Sequence, residues 1–101
     1  MPRPLKASPP PADPTATSLA ALGRLVAAHR VAAGLRIDDA ASLSGVSVDL
    51  LSRLENGRSG VSTDRLLKVL DALGLVMLVV DKAKLPKLLT AVGDPEEPAA
   101  R

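Results

Sequence analysis

The chain has 101 residues, 47% of them apolar, a net charge of +2, and no Phe, Trp, Tyr or Cys, which makes it one small domain with an aliphatic core. With no aromatic ring to stack on an unpaired base, RRM-type and OB-fold reading of single strands is excluded. With no cysteine and a single histidine, His29, so are a disulfide framework, a thiol nucleophile and a Cys- or His-based metal cluster within one chain.

Proline partitions the sequence. All nine prolines fall in residues 1–14 or 86–98, and proline is costly inside a helix, so the proline-free middle predicts a helical domain with loose ends. Residues 1–17, rich in Pro, Ala, Ser and Thr, are expected to be a disordered arm. A first helix is predicted over 19–33, with Ser18 as N-cap and Leu19, Leu22, Leu25, Val26 and Ala33 as its apolar stripe. A second is predicted over 37–44, carrying Ala40, Ala41 and Leu43, with Asp38 and Asp39 complementing the dipole of its first turn. A third runs over 48–56 behind Ser47, with Leu50, Leu51 and Leu54 turned inward. A fourth runs over 63–73 behind Ser62, with Leu66, Leu67, Val69, Leu70 and Leu73 as its apolar side. Gly34, Gly45, Gly57 and Gly74 each follow one of these stretches, where a left-handed residue ends a helix.

The pattern then changes. Leu75-Val76-Met77-Leu78-Val79-Val80 is short, half β-branched and closed by Asp81 and Lys82, which predicts a strand. At six residues it is also the longest apolar run, against about 20 needed to cross a bilayer. A short helix is expected over 86–92, using Leu88, Leu89 and Val92, within a flexible tail of residues 83–101. Prolines stand where a signal peptide would carry its apolar stretch, so a soluble cytoplasmic protein is expected, with no membrane association.

Residues 37–56 read as helix, tight turn, helix. Ala41 is small where the helices cross, Gly45 supplies the turn, and Val46, Leu51 and Leu54 are apolar pegs that set the angle. Here Gly34-Leu35, Ala41, Gly45-Val46-Ser47 and Ser52-Arg53-Leu54-Glu55-Asn56-Gly57-Arg58 resemble the XRE, lambda-repressor-like family of DNA-binding domains. The continuation Leu66-Leu67-Lys68-Val69-Leu70-Asp71-Ala72-Leu73-Gly74-Leu75 is similar to the HipB-like antitoxin branch. The resemblance spans residues 19–82, roughly two thirds of the chain. It implies an all-α, four-to-five-helix domain over 18–74, followed by a C-terminal β-strand over 75–82 that pairs between subunits.

By that resemblance the third helix is the recognition helix, lying in the major groove with Ser47, Val48, Asp49, Ser52 and Arg53 outward. Arg53 is the specificity candidate, because a guanidinium can pair bidentately with guanine O6 and N7 for about 1–3 kcal/mol of discrimination. Val48 suits a thymine methyl. Asn56 and the Gly57 turn are expected to set backbone N–H groups and the basic Arg58 against phosphates, and Arg36 to meet the DNA backbone as well, contacts that position without reading sequence. Arg30 and Glu55 stand where family members form an ion pair, and the same pair is expected here. Family members often begin the second helix with Thr-Gln and the third with Gln, whereas this chain has Arg36-Ile37 and Val48. Asp49 also departs, since a carboxylate facing DNA repels phosphate unless it accepts from cytosine N4. His29 reads as an ordinary helix residue, and Lys82, Lys84 and Lys87 as a solvated face.

The strand has no second strand in the chain to pair with, so it would leave unmatched backbone groups and wet side chains. Covering one of its faces is worth roughly 5–9 kcal/mol gross. Pairing with its counterpart in a second copy gives a two-fold dimer through Leu75 to Val80, the mode of the HipB-like antitoxins it resembles. Two recognition helices about 34 Å apart would then read a palindromic duplex operator. The expected function is a dimeric, nucleoid-associated transcriptional repressor that needs no cofactor and, by the resemblance, pairs with a HipA-like kinase toxin and represses its own operon. A stand-alone XRE-type regulator is the alternative, and an adaptor that has lost DNA binding is a third reading. Neither a nucleophile–base pair nor a phosphate-cradling glycine loop is legible, so no enzyme is expected.

Overall fold

Three serines start three of the helices, and each does so through its hydroxyl. In the computed structural model, which describes residues 13–92, Ser18 Oγ accepts from the Ala21 N–H at 3.0 Å, Ser47 Oγ from Leu50 at 3.0 Å and Ser62 Oγ from Arg65 at 3.2 Å. The helices they open are α1 (Leu19–Ala32), α3 (Val48–Glu55) and α4 (Thr63–Ala72). Between the first two lies α2 (Ile37–Ser44), which begins after Arg36 with no side-chain cap and has Asp38 and Asp39 in its first turn. Ahead of α1, the Thr15 backbone N–H donates to Asp13 Oδ1 at 2.9 Å, and that bond holds the Asp13 carboxyl below the ordinary carboxylate value.

α1, α3 and α4 each end one residue earlier than the sequence pattern predicts. Ala33, Asn56 and Leu73 cap the last turns. The core is aliphatic: Val26 of α1, Ala40 and Ala41 of α2, Leu51 and Leu54 of α3, and Val69 and Leu70 of α4 form one buried cluster. α3 packs against both α1 and α2, and α2 also meets α4. Leu22, Leu35, Ile37, Val46, Val61, Leu66, Leu73 and Leu75 close the periphery.

The predicted apolar stripes need four corrections, one of them Ala33, which caps α1 from outside it and is exposed. Leu19, Leu43 and Leu67 are 50%, 63% and 47% exposed. In α2 the buried positions are Ala40, Ala41 and Ser44, and Leu43 lies off that face. Ser44 is tolerated inside because its Oγ donates to the Ala40 carbonyl at 2.7 Å. Gly23, absent from the predicted core, is buried where α1 crosses α3.

Residues 75–80 carry neither helix nor β-ladder in the single chain, and no strand occurs among the described residues. A ladder needs a second strand to exchange hydrogen bonds with, and one chain supplies none. Leu75 belongs to its own domain: its N–H donates to the Leu70 carbonyl at 2.8 Å and its side chain packs on the core. Val76, Met77, Leu78, Val79 and Val80 remain in solvent, with Val79 92% exposed. A single 3-10 turn (Lys82–Lys84) leads into α5 (Leu85–Val92), which carries Pro86 in its first turn, where its missing N–H does no harm. Leu88 and Leu89 are half-buried. The expectations for residues 1–12 and 93–101, and for the Val92 side chain, lie outside the described residues.

Candidate nucleic-acid interface

The junction between α2 and α3 is built by backbone geometry. Gly45 adopts φ 72°, a left-handed conformation costly for any residue with a Cβ. The Gly45 N–H donates to Ser42 at 3.2 Å and the Val46 N–H to Ala41 at 3.0 Å, closing α2. Ser47 then caps α3 two residues after the glycine. The two alanines at the crossing, 0% and 2% exposed, let α2 lie close against its neighbours.

α3 is two-faced. Leu50, Leu51 and Leu54 are buried. Opposite them Ser47, Val48, Asp49 and Asn56 are exposed, and Ser52 and Arg53 half-buried. Of these, Val48, Asp49, Ser52, Arg53 and Asn56 lie three to four residues apart, which puts them on neighbouring turns of one helical face. That face has no role in the core. It offers a methyl pair, a carboxylate, hydroxyls and a guanidinium.

Each candidate residue has a specific setting. Arg53 Nε stands 3.5 Å from Asp49 Oδ2 across one helical turn. Asn56 turns its amide inward along the helix, Nδ2 donating to the Ser52 carbonyl at 2.8 Å, so that donor is already engaged. The exposed Arg58 follows the Gly57 turn, its N–H donating to Arg53 O at 2.9 Å. Arg36 is exposed at the start of α2. Among the described residues no carboxylate lies within ion-pair distance of Arg36 or Arg58.

Arg30 and Glu55 support this surface from beneath. Arg30 Nε donates to Glu55 Oε2 at 2.7 Å and Nη2 to Oε1 at 3.0 Å, a two-pronged pair tying α1 to the end of α3. The third donor, Nη1, reaches the Leu35 carbonyl at 2.9 Å and fixes the loop before α2. The side chains are only 14% and 9% exposed. The Leu35 contact is not legible in the sequence, because backbone acceptors leave no mark on residue identity.

A second surface lies away from α3. α1 and the chain after α4 enclose an apolar groove of about 670 Å³, lined among others by Leu22, Leu25, Val26, Val76, Met77 and Leu78. No group of acidic or histidine side chains suited to a metal ion occurs among the described residues, and no helix there is long and apolar enough to cross a membrane.

Comparisons with known proteins agree with this architecture. A family model described as a helix-turn-helix domain matches residues 21–80. No curated protein matches the chain. Among solved structures, a chain of the HipA-HipB-O2-O3 complex is similar in fold, with a TM-score of 0.62 at 22% identity over 67% of this chain and 96% of that one. The clp gene regulator ClgR from C. glutamicum is similar with a TM-score of 0.53 at 32% identity, over 72% of this chain and 87% of its own.

Proposed function

The chain belongs to the helix-turn-helix domain family, and from that premise we propose that it is a sequence-specific transcriptional repressor that binds a palindromic DNA operator as a homodimer. The observation that carries this reading is the outward row of α3. Val48, Asp49, Ser52 and Arg53 have no part in the core, on a helix held by a glycine turn and a two-pronged ion pair. A helix so presented fits the major groove, its N-terminal residues at base edges. Arg53 and Val48 read bases, while Arg36 and Arg58 meet phosphates. Asn56 contributes through the turn it closes more than through its engaged amide.

Dimerisation follows from residues 75–80. One domain of charge +2 makes few phosphate contacts and binds weakly. The exposed run Val76–Val80 and the apolar groove beside it are covered when two copies pair their strands across a two-fold axis. Leu75 anchors the base of that strand in its own domain.

The binding claim is tested by gel shift on the DNA upstream of the chain's own gene. A salt-sensitive, sequence-selective shift is expected, and a shift equal on scrambled duplex refutes it. Arg53→Ala should relax base preference, whereas Arg58→Ala should weaken all sequences alike and lower the salt slope by about 1. Equal effects on specificity from both would remove these assignments.

Within this function two settings are open to test. The segment Leu66–Leu75 and the HipB-like fold favour an antitoxin that autoregulates its operon and binds a HipA-like kinase. The ClgR likeness, at higher identity, favours a regulator that works without a toxin. Co-expression with the product of the adjacent gene separates them: a stable complex with a kinase-like protein supports the first, and no such neighbour supports the second.

A further inference from the structure

A carboxylate on a face turned to phosphates is electrostatically unfavourable, yet Asp49 sits there 84% exposed. Its partner is on the same helix. Arg53 Nε stands 3.5 Å from Asp49 Oδ2, with Asp at i and Arg at i+4. That Nε is shielded from solvent and makes no hydrogen bond to any described residue. Asp49 is the one carboxylate within ion-pair distance of Arg53 among the described residues. On another side the guanidinium lies against the loop between α3 and α4, where a Cβ built on Gly60 would stand 3.3 Å from Arg53 Nη1. The head of a long side chain is thus bounded by a carboxylate at Nε and by side-chain-free backbone at Nη1.

We infer that Asp49 is a positioning residue for Arg53: it draws the Nε side of the guanidinium along α3 and leaves the terminal N–H groups to donate to O6 and N7 of a guanine. The inference rests on the DNA-binding reading above. A guanidinium already confined loses less rotamer freedom when it binds. The end-on fork is the edge left available, because the side-on edge includes Nε. By contrast Arg30 uses its side-on edge, Nε and Nη2, on Glu55. The same pairing offsets part of the repulsion between Asp49 and the DNA backbone, which accounts for an acidic residue on this face. Direct reading of a cytosine by Asp49 is the competing role, and it places the effect of Asp49 at a different base pair from that of Arg53.

The test uses the duplex that the wild-type full-length protein enriches from a random-sequence pool, together with every single-base variant of its half-sites. Affinities are measured for wild type, Asp49→Ala, Asp49→Glu, Arg53→Ala and the double variant Asp49→Ala/Arg53→Ala. Arg53→Ala is expected to lower discrimination at one G·C pair by about 5- to 150-fold. Asp49→Ala should lower it at that same pair by roughly three- to tenfold, and the double variant should fall no further than Arg53→Ala alone. Asp49→Glu, which keeps the carboxylate, should restore most of the loss. An Asp49→Ala profile that keeps full discrimination, or loses it at another base pair additively with Arg53→Ala, overturns the inference while leaving DNA binding intact. If wild type enriches no sequence, the DNA-binding reading fails and this inference fails with it.

Discussion

Arg30 serves three acceptors at once, two on Glu55 and one on the Leu35 carbonyl. Both partners are largely removed from water, so deleting either leaves a charge poorly compensated. Glu55→Ala is expected to cost about 2–3 kcal/mol in urea unfolding, and Arg30→Lys, which keeps the charge but not the fork, about 1 kcal/mol less than that. A change below about 0.5 kcal/mol for Glu55→Ala would mean that the pair behaves as an ordinary surface pair. The sequence suggested this partnership by family resemblance alone, since 25 residues separate the two and no local periodicity links them. Asn56 acts within its own helix, its Nδ2 donating to the Ser52 carbonyl across the last turn of α3.

At the scale of helices, the spacing between α1 and α3 depends on Gly23. A Cβ built there would lie 2.5 Å from the carbonyl oxygens of both Leu54 and Glu55, and backbone on a packed helix has little room to retreat. Gly23→Ala gains about 1 kcal/mol in helix propensity but forces the two helices apart. A net destabilisation of about 2 kcal/mol or more is expected, read as a lower midpoint in urea. A neutral or stabilising result would show that the crossing can widen freely. The capping serines are a simpler case, because each completes a local hydrogen bond. Ser47→Ala should cost about 1 kcal/mol, visible as a lower melting temperature by circular dichroism. Such caps were legible in the sequence, as was the inward leucine face of α3. Gly23 was not legible as a core residue, because a glycine inside a helix looks the same whether it packs against a neighbour or faces water.

At the scale of the whole molecule, the exposed run Val76–Val80 calls for a cover. Five successive large apolar residues, each at least 43% exposed, form an aggregation liability in a lone chain and an interface in a dimer. Mass measurement in solution is expected to give a dimer for the wild type and a monomer for Leu78→Asp, which buries a charge in the paired state. Two monomers would remove the strand-pairing proposal. The monomeric variant should also lose operator affinity more steeply than any single contact residue, since half of the phosphate contacts leave with the second copy.

Helix starts and stops were readable from residue identity because they depend on groups within four positions of one another: a serine hydroxyl and the N–H three residues on, or a glycine free to take a positive φ. The helix-turn-helix followed from the same local rules, with Gly45 between two amphipathic segments. Other features depend on what stands across from a residue in space. Leu43 and Ser44 exchange the environments that hydropathy would give them, because α4 and α3 meet α2 on the Ala40–Ala41–Ser44 face. Gly23 is buried because α3 crosses there. Residues 75–80 have strand composition yet form no ladder within the chain, because a β-strand is stabilised by hydrogen bonds to a partner that no residue of the described chain provides.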